Sequence, residues 1–597
     1  MHWSVYTHWL WLISGILLSA GIRLSAQAPD TSKNRIYIIH AEFLDFEKKG
    51  ELEYQYLRQD VVIRHKNTYL FCDSAAITGL TVRALGHVRI VEGDSLQIFG
   101  DTLNYDGAKL KAELIQNVTL NHHGRQLFTD KLFYDLKKRI ASYQTGGLLI
   151  QDSTRMQSKK AWYNARTEQA FFKDSVNIIL DDGMNVQADT IQFDSKQNKV
   201  VFLAPTRILQ NELSVYCEQG YYDITQSLAY FDKNPVYTES DESAEARTII
   251  HDQKNKITTL LKDAVIRDSS TEAHGDTIII NDTDHSIRIL GHADYRDEER
   301  KISGDRILYN RLDRSLQVSG RTHLKEGKQD IEAQRIDYKG DQDLGYAYGD
   351  VVVRDTQSGW EIHCDTFSYN KKTKRFEPVG MRKYIATPMD NDTLYLTAEE
   401  IVSEQVVDGT DSFQIMIARR DVRIWSKHLQ GLCDSLFYSG RDSSFTMHVN
   451  PVLWSDTTQF TGDTIRMFMK NKTMDQVHLL QHAFILTESQ TRLDNQVKGR
   501  TIFAYFNQRK INYTDVTGNA ETIYFVQDDD KDYIGMNYIQ CSSMRINFLQ
   551  NQKIDNIHFY TKPTGNLMPT SSGKDKRLEG FTPRSSEKPL TFEDLFQ

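Results

Sequence analysis

The phrase Gly100-Asp101-Thr102-Leu103-Asn104-Tyr105-Asp106 constrains this chain more than any other stretch, because it returns along nearly the whole length. Copies read Thr129-Asp130-Lys131-Leu132-Phe133-Tyr134-Asp135, Ala188-Asp189-Thr190-Ile191-Gln192-Phe193-Asp194, Gly275-Asp276-Thr277-Ile278-Ile279-Ile280-Asn281, Gly304-Asp305-Arg306-Ile307-Leu308-Tyr309-Asn310 and Cys364-Asp365-Thr366-Phe367-Ser368-Tyr369-Asn370. The second slot falls at 73, 101, 130, 159, 189, 218, 247, 276, 305, 334 and 365, a period close to 29 residues, then loosens to 398, 434, 463, 500 and 542. A fixed period of this size marks a repeat array, in which each unit buries its apolar face only against its neighbours. Such an array lengthens without enlarging one core, so 597 residues need not mean several globular domains.

Within one repeat, Gln126 to Asp135 alternates and is rich in aromatics, Leu136-Lys137-Lys138-Arg139 is a charged turn, and Ile140 to Gln151 runs back through Gly146-Gly147. This predicts an antiparallel hairpin whose long arms each contain a place to bend. The expected fold is all-β, an elongated array of about seventeen such hairpins. Stacking the copies produces two columns. One contains Leu103, Leu132, Ile191, Ile278, Ile307, Phe367 and Leu436; the other, two residues on, contains Tyr105, Tyr134, Tyr163, Phe193, Tyr222, Ile280, Tyr309, Tyr338, Tyr369 and Tyr438. Period-two spacing puts both on one face, as a continuous apolar stripe. Two readings stand: a core filled by its own side chains, or two sheets meeting in a V whose trough is open to an apolar guest.

The remaining features narrow the function. Net charge is −9 with no long basic run, which argues against a nucleic-acid surface. Met1 to Ala28 carries an apolar run from Trp9 to Ala20 followed by Ala26-Gln27-Ala28, the pattern of a secretory signal peptide, although its first twenty residues hold no Lys or Arg. Cys72, Cys217, Cys364, Cys433 and Cys541 share the small-residue slot before the Asp, and none lies in adjacent copies. Their slots are then roughly 10 Å or more apart, beyond the ~7 Å that a disulfide spans, so five free structural thiols are expected. The Asp column reads as a ladder accepting backbone N–H bonds rather than a calcium site. Gly93-Asp94-Ser95-Leu96 spells an esterase motif, but in a hairpin turn with no placed His, and His122-His123 reads as a solvated pair rather than a zinc site. No phosphate loop is present. No catalytic residue, metal or cofactor is therefore assigned, and the chain is not expected to be an enzyme.

Written as small-Asp-Thr-aliphatic-x-Tyr-Asp, a short turn, then Val-x-Ile, the repeat resembles the OstA/LptA-like family of lipopolysaccharide-transport proteins. The resemblance runs from Ile36 to Tyr560 and lacks the C-terminal membrane barrel of the outer-membrane members. It implies a V-shaped β-jellyroll, or β-taco, whose groove shelters lipid A acyl chains in the periplasm. The two columns named above would line that groove. Partners implied are lipopolysaccharide or lipid A and the jellyroll proteins of the inner- and outer-membrane transport complexes, joined end to end by β-augmentation. Expected organisation is a signal peptide at 1–28, regular repeats at 36–396, irregular repeats at 397–560 with insertions at Glu377 to Asp392 and Val402 to Phe413, and a disordered Pro/Ser/Lys-rich tail at 561–597. The rival reading is a structural or adhesive envelope scaffold with a self-filled core.

Overall fold

A computed structural model describes residues 35–389, 391–528 and 532–597. The expected signal peptide lies outside the described residues. The described chain is almost entirely antiparallel strand and divides into two compact units, residues 1–198 and 199–597. This division does not coincide with the change in repeat regularity near 396. Just after it, Leu203-Ala204-Pro205 separates the short strands Lys199–Phe202 and Thr206–Gln210. Proline cannot donate to a sheet ladder, which suits Pro205 to such a break.

In unit 1 the long arms Thr81–Glu92, Leu96–Asp106, Lys111–His122 and Arg125–Asp135 pair in sequence. The register confirms the two columns as rows. Ala84, Leu103, Leu114 and Leu132 lie opposite one another, as do Val82, Tyr105, Ala112 and Tyr134. A pattern invisible in single copies emerges here: in the second row each large ring is flanked by a small residue, Tyr134 opposite Ala112 and Ala141, Tyr163 opposite Ala141 and Ala170. Large against small lets neighbouring strands fill one layer without voids.

The bend in each unbroken returning arm is a β-bulge. Leu85 pairs with Thr102 and Val88 with Gly100, so Gly86 and His87 together oppose Asp101. Both sit at positive φ, 76° and 44°, and paired left-handed residues recur at Gln116-Asn117, Asp174-Ser175, Lys262-Asp263, Gly291-His292 and Gln481-His482. One extra residue bends the strand and tightens its twist. Burial changes phase across the bend: Leu96, Ile98 and Gly100 are buried before it, Leu103 and Tyr105 after it. Both halves of each arm therefore turn an apolar face inward.

In the Asp column Asp365 accepts a backbone N–H, that of Met381 at 3.3 Å, as expected, but other members act differently. Asp101 accepts from Asn117 Nδ2 at 2.6 Å, and Asp73, Asp276 and Asp463 lie 2.9 to 3.1 Å from Nδ1 of His87, His292 and His482. They brace the left-handed residues of the bulge through their side chains. The turn-capping role belongs to the last slot of the phrase. Asp106 accepts the N–H of Lys109 at 3.0 Å, Asp135 that of Lys138 at 2.8 Å and Asn370 that of Thr373 at 3.0 Å, closing each hairpin turn. All five cysteines are free. Burial pushes the thiols of Cys72, Cys217, Cys364 and Cys433 up to about 12, so they stay protonated and inert.

Unit 2 repeats the hairpin plan from Ile257 to Phe548 with two departures. The arm after Asn370 breaks at Gly380-Met381 into Arg375–Val379 and Tyr384–Met389. The C-terminal stretch also loses alternation: Ala483, Phe484, Ile485 and Leu486 are all buried, so both sheet faces are covered there. The cover is the tail. Contrary to the expectation of disorder, residues 561–597 contain a strand, Thr564–Met568, and then pack back over the outer face, with Leu578 and Leu595 buried. Composition suggested disorder because polar residues dominate, but Leu578, Phe581, Phe592, Leu595 and Phe596 are spaced to meet an apolar sheet face that needs covering.

Candidate functional site

In unit 1 the columns are packed solid. Leu103, Leu132, Ile191 and Phe193 are wholly buried and Tyr105, Tyr134 and Tyr163 nearly so. The space between Leu127, Ala141, Tyr143, Tyr163 and Phe172 amounts to about 10 Å³, too little for a guest. The tyrosine hydroxyls are spoken for by groups about one and a half repeats earlier. Tyr105 Oη lies 2.5 Å from His65 Nδ1, Tyr134 Oη donates to Glu92 Oε2 at 2.5 Å, and Tyr163 Oη lies 2.6 Å from His122 Nδ1. Arg139 pairs with Glu92 at 3.0 Å and Arg125 with Glu168 at 2.8 Å. His122 is thus buried and bonded, not the solvated residue expected from the sequence.

These buried imidazoles make unit 1 acid-sensitive. Burial lowers His122 to about 4 and lowers His65 in the same direction. Because the folded value lies below the unfolded value of about 6.5, stability is full above that pH and falls as pH drops towards 4, where the unfolded chain takes up a proton the folded one refuses. Urea unfolding of unit 1 should show this loss between pH 7 and 5. The His122→Phe variant should show a shallower slope.

Unit 2 behaves differently. Tyr222, Ile278, Ile280, Ile307, Phe367 and Leu436 are buried as in unit 1, but Tyr309, Tyr338, Tyr369 and Tyr438 are only half-buried. Beside Tyr369 and Tyr438 lies a cleft of about 1130 Å³, at or above the roughly 300–1,000 Å³ of ordinary ligand pockets. Its floor is the tyrosine row itself: Tyr369 pairs with Phe376, Phe376 with Ser403, Ser403 with Met416, Met416 with Tyr438 and Tyr438 with Phe445. Facing it are Ile385, Thr387, Met389 and Leu394 from the short strands Tyr384–Met389 and Asp392–Thr397, with Trp360 and Met469 at the sides. A narrower space of about 60 Å³ continues past Leu316, Ile331, Tyr338 and Phe367.

The rim is charged. Lys371 Nζ is 2.5 Å from Glu326 Oε1 and 3.6 Å from Glu299, and the Glu326 hydrogen bond holds its ammonium above the usual lysine range. Lys374 and Lys472 also border the opening and, among the described residues, have no acidic side chain within ion-pair distance. An apolar floor with lysines at the lip suits an amphiphile: chains inside, an anionic head outside. The His323, Asp330 and Glu332 group is already matched by Lys325 and Arg354, at 3.5 and 2.6 Å, which fits an ion-pair cluster better than a metal site.

Sequence reasoning named Tyr369 and Tyr438 but missed Phe376 and Met416 between them and Phe445 beyond Tyr438. Those sit on returning arms, where the unit 1 equivalents are alanines, and only the pairing register brings them into the row. The insertion at 377–392 was the available signal, since it breaks the arm after Asn370, whereas 402–413 forms a regular hairpin.

Residues 33–189 match the family model described as OstA-like protein, and residues 155–286 match that of the LptA/(LptD N-terminal domain) LPS transport protein. The cleft residues, from Glu298 to Lys472, lie beyond both matches. No curated protein matches the chain significantly. Among solved structures, that of LptH, the LptA-homologous periplasmic component of the lipopolysaccharide transport device of Pseudomonas aeruginosa, is similar at 16% identity over 19% of this chain and 94% of that one, with a TM-score of 0.18. The segment 33–286 of the chain is thus similar to the OstA/LptA-like family.

Proposed function

We propose that this is a periplasmic lipopolysaccharide-transport protein that holds acyl chains in the unit 2 cleft while they pass between membranes. The observation that carries the proposal is the contrast within one repeated column, solid in unit 1 and open between Tyr369 and Phe445. Each methylene removed from water contributes about 0.8 kcal/mol, so an apolar trough of this volume offsets much of the cost of taking a lipid out of a bilayer. Lysines at the lip suit the phosphates of lipid A. Nothing in the arrangement calls for covalent chemistry.

For unit 1 the packing favours the second reading, a self-filled scaffold. Its first arm, Phe43–Lys49, pairs with Leu52–His65 on one side and is exposed throughout, with Phe43 56% and Phe46 65% accessible. Such an edge is suited to accepting a strand from a neighbouring jellyroll of a membrane transport complex. On this reading unit 1 is a docking and spacing element and unit 2 the lipid carrier.

Site-specific photocrosslinking in cells tests the division. A reactive side chain at Tyr369 or Met416 should yield lipopolysaccharide adducts. The same side chain at Tyr134, or at the turn residue Lys137, should yield none. Adducts absent from both cleft positions in an exported, folded protein would leave the scaffold as the reading for the whole chain.

A further inference from the structure

The wall of the cleft has a second side. In the strands Tyr384–Met389 and Asp392–Thr397, alternate residues Ile385, Thr387 and Leu394 face the cleft, so Tyr384 and Tyr395 point to the opposite, outer face. There the last residues of the chain are docked. The Phe592 ring lies 4.7 Å from that of Tyr395, 5.2 Å from that of Tyr384 and 6.5 Å from that of Trp425, and the Phe596 ring meets it edge to face at 5.3 Å. Arg423 donates to the Asp594 carbonyl at 3.0 Å, and Glu593 pairs with Arg382.

The route to that hook is built like a peptide-binding groove. Gln459, 2% exposed, uses both ends of its amide on the tail backbone: Nε2 donates to the Thr582 carbonyl at 2.9 Å and Oε1 accepts the Arg584 N–H at 2.8 Å. Gln496, fully buried, accepts the Leu578 N–H at 2.8 Å. Leu578 itself fills a pocket of Phe484, Leu486, Ile523, Phe525 and Met536. Buried amides that clamp a main chain, with a pocket for one side chain, are the elements by which a groove recognises an extended peptide. Gln459 and Gln496 occupy one row of the outer face, joined through Leu486, where a solvent-facing strand would need no such partners.

We propose that residues 578–597 are a peptide ligand carried in cis, and that docking of its aromatic hook, Phe592 to Phe596, on the outer face of the Tyr384–Met389 and Asp392–Thr397 pair controls how freely that pair can move and so how readily the cleft exchanges its guest. The wall is suited to this role. Both strands are short, and their arm is severed at Gly380-Met381, where Met381 is 96% exposed. Two short pairings tie it to its neighbours, Glu361 to His363 with Tyr384 to Ala386 and Tyr395 to Thr397 with Arg423 to Trp425, and the hook packs on its outer face across the second of them. The part of the proposal that concerns guest exchange rests on the reading of the cleft as the lipid site; the part that concerns wall mobility does not.

The test uses the full chain and two variants. Phe592→Ala with Phe596→Ala removes the hook's rings. Asp594→Ala removes the carboxylate that accepts the Leu590 and Thr591 N–H groups at 2.8 Å, and so loosens the hook without touching the sheet. Amide hydrogen exchange should rise about tenfold or more in 384–389 and 392–397 in both variants and stay unchanged in the control strand Ser286–Arg296, as expected for local opening. Release of pre-loaded cis-parinaric acid should quicken by about fivefold or more in parallel. Unchanged exchange in the wall overturns the proposal, as does a mobilised wall with unaltered probe release. If the wild-type chain takes up no probe, the lipid reading of the cleft fails, and the hydrogen exchange alone then decides whether the hook controls the wall.

Discussion

Met469→Arg weakens binding of a long-chain acyl probe to the full-length protein by about tenfold or more, with little change in thermal stability. Met469 borders the cleft and is half-buried, so a guanidinium there can reach the rim without disturbing the packed rows. Within the cleft it displaces apolar contact. Two methylenes of a guest returned to water cost about 1.6 kcal/mol, slightly more than a factor of ten in affinity. Fluorescence titration of wild type and variant, with a melting curve for each, reads both quantities. Equal affinities would place the guest elsewhere and remove the cleft from the account of function.

Leu578→Ala frees the C-terminal segment. Truncating a leucine in a packed cluster costs about 2–5 kcal/mol, and here the loss falls on the stretch ahead of the Phe592–Phe596 hook, which that side chain and a few buried hydrogen bonds hold to the sheet. The bonds from Gln496 and Gln459 are not enough to keep it, because each contributes only about 0.5–1.5 kcal/mol net against the entropy of ordering the chain. Limited trypsin digestion should cut the variant rapidly at Arg577 and Arg584 while the wild type is cut slowly. The released protein should also bind a hydrophobic dye, since Phe484, Leu486, Ile523 and Phe525 lose their cover. Identical digestion patterns would show that the tail is held by something other than this pocket.

Much of the architecture was legible from one repeat. The alternation in Leu96 to Asp106 specifies a strand, the recurrence of the Asp/Asn slot specifies the turn that closes each hairpin, and the shared small-residue slot of the cysteines specifies free thiols. These are local or periodic properties, carried by residues within a few positions of each other or by a repeat that stacks on itself. The Asp column shows the limit of such reasoning. Backbone capping was the right chemistry for Asp106 and Asn370 but the wrong one for Asp101, whose partner Asn117 stands in the next arm at a left-handed bulge that no propensity reveals.

The columns themselves followed from sequence alone, because period-two spacing obliges Leu103 and Tyr105 to share a face whatever they pack against. Whether that face is filled or open was decided only in three dimensions. Tyr134 meets Ala112 and Ala141 and bonds Glu92, so the space closes; Tyr369 and Tyr438 stand in the same slot but meet Phe376, Phe445 and a wall displaced by a broken arm, so the space stays open. The tail is the sharper case. Its composition is that of a disordered segment, and its order depends on contacts such as Leu578 with Gln496 and Asp594 with Arg423, 82 and 171 residues apart. A periodic sequence determines which side chains face inward, because that depends on neighbours along one strand; how much room they leave, and what covers the outside, depends on groups that the chain brings together only when it has folded.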